Sequence, residues 1–301
     1  MLTQRDKGLA FRALHEQAGA FVVPNPWDVG TARLLAQEGF EALATTSAGC
    51  AFALGKPDNS IGREAAMAHV AAIACSTDLP VSGDLENGFG NTPEEVARTI
   101  RMAAAAGLVG GSIEDATGRM DRPIYDVGLA RERVAAAAEA AHALPFPFML
   151  TARAENYLHG RPDLVDTIER LEAYQAAGAD VLYAPGLPTV EAIRAVVRGV
   201  DRPVNVLAGG GTLFSVATLE GLGVKRISVG SALARAALGA FLTAAREMRN
   251  RGTFAWAKKA VEYAEVNAMF ERQGAECGVQ GTGDRLRGRQ AIEDRGEAVG
   301  W

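Results

Sequence analysis

A regular alternation of short apolar runs with longer helical runs constrains the fold of this chain more than any other feature. The apolar runs predict β-strands at Phe21–Pro24, Ala42–Thr46, Val81–Leu85, Gly111–Glu114, Phe148–Ala152, Val181–Ala184, Val204–Leu207 and Arg226–Val229. Runs rich in Ala, Leu, Arg and Glu follow them and predict helices at about 28–37, 64–76, 93–106, 127–143, 164–176, 189–198, 214–220 and 231–249. Eight such units in one register predict a (β/α)8 barrel.

The alternative fold is a doubly wound open sheet, but the GxGxxG turn that usually follows its first strand is missing. We expect residues 1–250 to form the barrel domain and residues 251–301 to form a C-terminal helical and tail segment. A helix is expected at Phe254–Glu271, before a charged, glycine-rich tail. This helix suits packing between subunits and packing on its own chain, and the sequence leaves both open.

Composition excludes several classes of protein. The net charge of −5 lacks the basic balance of a nucleic-acid-binding protein. No apolar run reaches about 18 residues, and the amino terminus lacks the apolar core of a signal peptide, so neither membrane insertion nor secretion is expected. The 3 cysteines are too few for a disulfide framework, and we expect a cytoplasmic protein. None of the 4 histidines lies at a predicted strand end, which argues against a triad hydrolase.

Acidic side chains follow the third and fourth predicted strands. Asp84 and Glu86 are two residues apart, so on a strand they share a face, and Glu114 ends the next strand. Asp58 lies in the loop after the second strand. The active sites of such barrels lie at the carboxyl ends of the strands, so we expect these acids close together. Crowded carboxylates repel one another without a cation, and hard oxygen ligands suit Mg²⁺ or Mn²⁺.

Two further strand ends supply candidate substrate-binding groups. Arg153 and Glu155 share a face at the end of the fifth strand. The arginine would bind a substrate carboxylate through paired hydrogen bonds and the glutamate would orient it; the alternative is a structural ion pair at the rim. After the second strand, Ser47, Ala48 and Gly49 are small, so the backbone can approach a ligand and its amides can bind an oxyanion.

Several motifs occur in order at these strand ends. They are Pro24-Asn25-Pro26-Trp27-Asp28, Thr45-Thr46-Ser47-Ala48-Gly49, Asp84-Leu85-Glu86-Asn87-Gly88-Phe89-Gly90, Ser112-Ile113-Glu114-Asp115, Ala152-Arg153-Ala154-Glu155 and Ala177-Gly178-Ala179-Asp180. Together they resemble the isocitrate lyase/phosphoenolpyruvate mutase superfamily, over about residues 10–245. The resemblance implies a tetramer with a C-terminal helix exchanged between subunits, and we expect a homo-oligomer, either a dimer or a tetramer.

The resemblance also implies an Mg²⁺-dependent enzyme that acts on 2-oxo or 2-hydroxy carboxylates. By the matching motifs, Asp84 would bind the metal directly. Three other acids would hold metal-bound waters: Asp58, Glu86 and Glu114. The implied substrate contacts are the amides of Ser47, Ala48 and Gly49, the guanidinium of Arg153, a pocket wall at Trp27, and Asn205 in the seventh strand.

The loop at 115–127 departs from the family. Isocitrate and methylisocitrate lyases carry Lys-Lys-Cys-Gly-His there, and phosphoenolpyruvate mutases carry Lys and Asn. This chain has Asp115-Ala116-Thr117-Gly118-Arg119-Met120-Asp121-Arg122-Pro123, with no cysteine or histidine acid. Arg119 and Arg122 would either close over an anionic substrate or stay solvated.

Three functions follow from these residues and the resemblance. The first is a lyase that cleaves a C–C bond of a 2-oxo or 2-hydroxy di- or tricarboxylate through a metal-stabilised, pyruvate-type enolate. Its reaction would resemble that of an oxaloacetate decarboxylase, which needs no base for a leaving hydroxyl, or that of 2-methylisocitrate lyase. The second is a P–C bond enzyme of the phosphonopyruvate hydrolase or phosphoenolpyruvate mutase type. The third is a catalytically silent protein that binds 2-oxo acids.

Overall fold

A barrel of parallel strands forms the centre of the molecule. The computed structural model describes residues 2–209 and 214–271. One sheet has the strand order β1-β8-β7-β6-β5-β4-β3-β2. Its strands are β1 (Phe21–Val23), β2 (Leu43–Ala44), β3 (Val81–Asp84), β4 (Gly110–Glu114), β5 (Met149–Arg153), β6 (Val181–Tyr183), β7 (Val204–Leu207) and β8 (Arg226–Ser228). The predicted (β/α)8 barrel is confirmed, and each predicted strand is present.

Helices surround the sheet, and the apolar core lies between their inner faces and the strands. Those in the described residues are α1 (Gln4–Glu16), α2 (Val29–Gln37), α3 (Ser47–Ala53), α4 (Arg63–Cys75), α5 (Pro93–Ala105), α6 (Val127–His142), α7 (Leu164–Ala176), α8 (Val190–Gly199), α9 (Val216–Gly221), α10 (Ala232–Arg251) and α11 (Tyr263–Glu271). Helices α1 and α3 were not predicted, because glycine and charge interrupt the first and small residues dominate the second.

Helix α1 packs against the amino-terminal end of the barrel. It begins with a capping box between Thr3 and Asp6. His15, near its end, makes edge-to-face ring contacts with Phe11 at 4.7 Å and with Phe21 of β1 at 4.9 Å between centroids. The helix therefore buries an aromatic cluster at the end of the barrel opposite the predicted site.

The barrel closes between β1 and β2 through few contacts. The two strands share no ladder, but the N–H of Ala44 donates to the carbonyl of Pro24 at 3.1 Å. The Asn25 side chain strengthens this join, since its amide donates to the Thr45 carbonyl at 2.9 Å. Its Oδ1 accepts the N–H groups of Val229 and Gly230, each at 2.9 Å. One asparagine thus connects β1, β2 and β8.

The C-terminal segment differs in detail from the prediction. A 3₁₀ turn at Ala255–Lys259 and the short helix α11 replace the single helix expected at Phe254–Glu271. Residues 272–301, which include the predicted tail, lie outside the described residues. The boundary at residue 250 and the exchange of a helix between subunits stay predictions. No helix in the described part of the chain is long and apolar enough to cross a bilayer.

Candidate active site

A polar cavity of about 160 Å³ opens at the carboxyl ends of the strands. Six of the predicted site residues line it: Ser47, Ala48, Asp58, Asp84, Arg153 and Asn205. Further polar residues in its wall were not predicted: Asn25, Thr45, Thr46, Ser82, Ser112, Tyr183, Arg226, Ser228 and Ser231. The cavity therefore lies at the end of the barrel where the site was predicted, Glu86, Glu114 and Glu155 lie outside its lining, and more polar side chains line it than the sequence motifs indicate.

Asp84, the last residue of β3, lies at the centre of the site. Its Oδ2 accepts hydrogen bonds from the N–H of Ser47 at 3.0 Å and from the Ser47 hydroxyl at 2.9 Å. Its Oδ1 accepts from Nη1 of Arg153 at 2.9 Å. The Asp84 N–H in turn donates to the Thr45 hydroxyl at 2.9 Å. Ser47, the first residue of α3, and Arg153 of β5 therefore fix the orientation of this carboxylate.

Arg153 is surrounded by acids. Besides Asp84, it donates from Nε to Glu155 Oε1 at 2.8 Å, and its Nη2 lies 3.1 Å from Glu114 Oε2. Burial lowers the pKa of Arg153, but these carboxylates outweigh burial and hold the pKa well above its usual value. Glu155 is thus placed to orient the arginine. A guanidinium has five N–H groups, so Arg153 keeps donors beyond these three contacts for a substrate.

Glu86 lies near Asp84 and Asp58, but not because of the alternation of side chains along a strand. Strand β3 ends at Asp84, and Glu86 has φ of +49°, in the left-handed region that disfavours side chains. Its carbonyl accepts the N–H of Glu114 at 3.0 Å, which holds the ends of β3 and β4 together. Strain of this kind persists where the surrounding structure imposes it, and it concentrates at functional sites.

Burial and neighbouring carboxylates destabilise the charged forms of three of the predicted metal-binding acids: Asp58, Glu86 and Glu114. Burial, then the charges of Asp84 and Asp58, raise the pKa of Glu86 to about 7. Burial raises the pKa of Glu114 well above its usual value, against the opposing effect of Arg153. Partial burial likewise raises the pKa of Asp58, which lies in the rim loop, and the charge of Asp84 adds to this. The surplus of negative charge is what a bound cation would relieve.

The residues fit a divalent cation that has few direct protein ligands. Within residues 2–209 and 214–271, no group of three or more His, Cys, Asp or Glu side chains has the arrangement of a metal-binding cluster. Magnesium commonly binds through one or two carboxylates and retains several waters. A direct contact to Asp84, with the other acids acting through water, requires no such cluster. The hard carboxylate donors suit Mg²⁺ or Mn²⁺.

The amides predicted to bind an oxyanion lie in the first turn of α3. The Ser47 N–H is already bonded to Asp84, and the Gly49 N–H donates to the Thr46 side chain, which caps the helix, at 3.2 Å. In the described part of the chain, the Ala48 N–H has no hydrogen-bond partner. Of the three amides, that of Ala48 is therefore the one that remains available to a ligand.

Trp27 and Gly49 lie behind the cavity wall rather than in it. Both line a separate cavity of about 200 Å³, together with Phe241 of α10. A Cβ added to Gly49 would lie 2.6 Å from Thr46 Cγ2 and 2.8 Å from Trp27 Cβ, so only glycine fits there. Trp27 thus packs against α3 and does not line the 160 Å³ cavity, and its role as a pocket wall stays a prediction.

Two residues of β7 and β8, Asn205 and Arg226, form another part of the polar wall. Asn205 donates to the Ser228 hydroxyl at 2.9 Å and accepts from Nε of Arg226 at 2.9 Å. Arg226 was not predicted, although the sequence carries a signal for it: Arg226 and Ser228 alternate with apolar residues in a buried strand. An arginine at an inward position of a barrel strand is unusual enough to mark a site.

Comparison with known proteins identifies the family. The model of the phosphoenolpyruvate phosphomutase family matches residues 11–249. The chain belongs to this family. The resemblance to the isocitrate lyase/phosphoenolpyruvate mutase superfamily is confirmed, as is the prediction of an enzyme of that superfamily.

Individual relatives cover most of the chain. An uncharacterised protein of Mycobacterium tuberculosis is 32% identical over 87% of this chain and 96% of its own length. An oxaloacetate decarboxylase of Chromohalobacter salexigens is 29% identical over 82% and 87%, respectively. A crystal structure of a protein assigned as a lyase/mutase, from Burkholderia cenocepacia, is 63% identical over 89% and 96%, with a TM-score of 0.87.

In this member of the family, the loop after β4 folds back on itself. Ala116 and Ile124 form an antiparallel bridge, and the N–H of Thr117 donates to the carbonyl of Pro123 at 2.9 Å. At the tip, Arg119 pairs with Asp121 at 2.6 Å, and Arg122 pairs with Asp126. Both arginines are exposed and held by local acids, so closure over a substrate would require them to exchange these partners.

Proposed function

We propose that this chain is an Mg²⁺- or Mn²⁺-dependent lyase that cleaves a C–C bond of a small 2-oxo or 2-hydroxy di- or tricarboxylate. Asp58 and Asp84 line the cavity, and Glu86 and Glu114 lie near enough for the charge of Asp84 to raise their pKa; this crowding of four acids, with Arg153 among them, carries the proposal. Similarity to an oxaloacetate decarboxylase supports the reaction class. The family alone does not determine the activity, because related sites perform different reactions.

The acids would position a cation at the cavity. Asp84 would bind it directly, and Asp58, Glu86 and Glu114 would act through water. The bound cation would supply positive charge beside the oxygen on which negative charge collects as the bond breaks. Ser47 and Arg153 hold Asp84 by both carboxylate oxygens, so this residue is oriented before a ligand arrives.

The chain's own donors would bind the substrate. Ala48 lines the cavity and its N–H has no partner among the described residues, and Arg153 keeps N–H groups beyond its three acidic contacts. In a decarboxylation, the bond to the departing carboxylate breaks, its electron pair moves to the 2-oxo oxygen, and no hydroxyl is deprotonated. Of the proposed reactions, decarboxylation least requires an acid or a base from the loop after β4, which has no cysteine or histidine.

We also propose that the enzyme is a homo-oligomer. Helix α10 exposes a row of apolar side chains that includes Leu238 and Phe241, and Phe241 is 67% exposed. Phe254 and Tyr263, in the segment that follows, are also exposed. Apolar surface concentrated on one element is typical of an interface. The family resemblance implies that a second copy of this chain covers this apolar surface.

The test is product release from a panel of acids, with Mg²⁺ and with EDTA. The panel contains oxaloacetate, 2-methylisocitrate, isocitrate, 2,3-dimethylmalate and phosphonopyruvate. We expect metal-dependent turnover of a carboxylic acid, and a loss of more than about 100-fold in the Asp84→Asn variant, because the direct metal ligand is weakened. The matched control is Glu41→Gln, which removes an exposed acid near the amino end of β2.

The outcomes of this test distinguish the C–C lyase from the other two candidate functions. Turnover that survives both EDTA and Asp84→Asn would contradict the metal-dependent site. Release of phosphate from phosphonopyruvate, without turnover of the carboxylic acids, would replace the C–C lyase by a P–C bond enzyme. Metal-dependent binding of oxalate with no turnover across the panel would favour a catalytically silent binding protein.

A further inference from the structure

Arg226 is a buried cation in the wall of the candidate site. It begins β8, lines the cavity and is only 5% exposed. Its Nε donates to Asn205 Oδ1 at 2.9 Å and its Nη2 donates to the Thr151 hydroxyl at 2.8 Å. Its buried Nη1 has no hydrogen-bond partner among the described residues. The hydrogen bonds it makes are thus to neutral groups.

No carboxylate balances the charge of Arg226 in the described part of the chain. Arg153 contacts three acids, and buried Arg170 contacts Asp115 at 3.1 Å and Asp166 at 3.0 Å. For Arg226, burial lowers the pKa to about 10, and the phenol of Tyr183 is the one ionisable group that acts against this. The side chain is still charged at neutral pH. Keeping a buried charge without a counter-ion is costly, unless a ligand supplies one.

The cavity consequently has two electrically different sides. Asp58 and Asp84 line the side formed by β2 and β3, where a cation would bind, and Arg226 lines the side formed by β8. Thr151, which orients Arg226, precedes Arg153 by two residues on β5, a rise of about 6.6 Å along the strand. Arg153 and Arg226 therefore lie at different depths in the cavity.

We infer that Arg226 binds a second anionic group of the substrate, while the acid cluster and its cation hold the 2-oxo or 2-hydroxy carboxylate. This inference rests on the proposed function and narrows the substrate class. An arginine stabilises a group as an anion, so the bound group is one that the reaction leaves intact, not one released as neutral CO₂. The substrate is a dicarboxylate if cleavage releases a larger fragment, and a tricarboxylate if the reaction is a decarboxylation.

Matched ligand pairs test this inference by calorimetry with Mg²⁺. Malate and 2-hydroxybutyrate differ by a carboxylate in place of a methyl group, and 2-hydroxyglutarate and 2-hydroxyvalerate form the next longer pair. We expect the wild type to prefer the diacid of at least one pair by about 10- to 100-fold, the range for a hydrogen bond to a buried charged group. Arg226→Gln should reduce this preference to within about threefold and leave binding of the monoacid nearly unchanged.

Lys225→Gln is the matched control, because it removes an equal charge at the adjacent position. The Lys225 ammonium bonds to the carbonyls of Gln17 and Gly19 outside the cavity, so the preference for the diacid should persist. Thermal unfolding confirms that each variant is folded. If Arg226→Gln does not fold, Arg226→Lys replaces it, and this shorter cation should lower the preference by at least about threefold.

The outcomes separate the two proposals. If the wild type binds no member of either pair in a metal-dependent way, the proposed function fails. If it binds them with no preference for the diacids, or if the Arg226 variant keeps the preference, the role of Arg226 is wrong and the proposed function stands.

Discussion

Ionisable side chains inside this barrel are stabilised in three different ways. Arg153 is neutralised by acids, and Arg226 is held by neutral hydrogen-bond acceptors. His15, at the opposite end, is 4% exposed and donates from Nδ1 to the Phe11 carbonyl at 2.8 Å. Burial lowers the pKa of His15 to about 3, and the charges of Arg226 and Lys225 act in the same direction. The folded protein therefore keeps His15 neutral.

The burial of neutral His15 predicts that part of the folding stability is lost in acid. The pKa of His15 is lower in the folded state than its ordinary value of 6.5, so the unfolded state binds more protons below about pH 6.5. Stability is then lost as pH falls from about 6.5 towards 3. Between pH 7.5 and 5, denaturant titrations should show the wild type losing about 2 kcal/mol more than His15→Gln. Phe21→Leu, a control without a titratable change, should retain the wild-type dependence.

At the scale of elements, the short helix α3 connects the barrel to the site. Its first residue, Ser47, holds Asp84, and the Thr46 side chain caps it. Gly49 packs against Trp27 with no room for a methyl group. The position of Asp84, the proposed metal ligand, therefore depends on how closely this helix approaches its neighbours.

Gly49→Ala should displace α3 and weaken the site. Overpacking a close contact usually destabilises a protein by about 1–3 kcal/mol. We expect a loss of stability in that range, with a fall in metal-dependent turnover, measured by thermal unfolding and by the product assay. The control is Gly128→Ala, in the first turn of α6, where a Cβ would meet nothing within 4 Å. That change should stabilise the protein slightly; equal losses in both variants would argue against a special role for α3.

At the scale of the whole molecule, apolar surface is distributed unevenly. Leu238, Phe241 and Leu242 are exposed along α10, and Phe254 follows in the next segment. The cavity behind Phe241 is also lined by Trp27 and Gly49. A partner that covers α10 would thus pack close to Trp27 and Gly49, which hold α3 beside the candidate active site.

Phe241→Glu should therefore dissociate the proposed oligomer. Light scattering coupled to size exclusion should give a multiple of the 31.6 kDa chain mass for the wild type and a smaller mass for the variant. Val165→Glu is the control, because Val165 on α7 is also 67% exposed but lies away from α10. A wild type that elutes as a single chain would contradict the proposal.

Local sequence pattern predicted much of the fold and part of the site. The eight strands follow from apolar runs, and Asp84, Glu114 and Arg153 follow from their places at strand ends. The pattern could not reveal contacts across the barrel, such as that between Arg226 and Thr151, because these depend on how the strands are staggered. It also missed the left-handed backbone at Glu86, since nothing local requires a glutamate to adopt it.

Asn25, which joins three strands, also affects the order in which the chain folds during synthesis. Asn25 is near the start of the chain, yet its Oδ1 accepts the N–H groups of Val229 and Gly230, which are synthesised some two hundred residues later. Contacts of such long sequence separation form late in folding. Until β8 arrives, the ribosome-bound chain lacks both this closure and Arg226. The candidate active site is therefore incomplete until β8 has joined the barrel, because Arg226 and Ser228 form part of its wall.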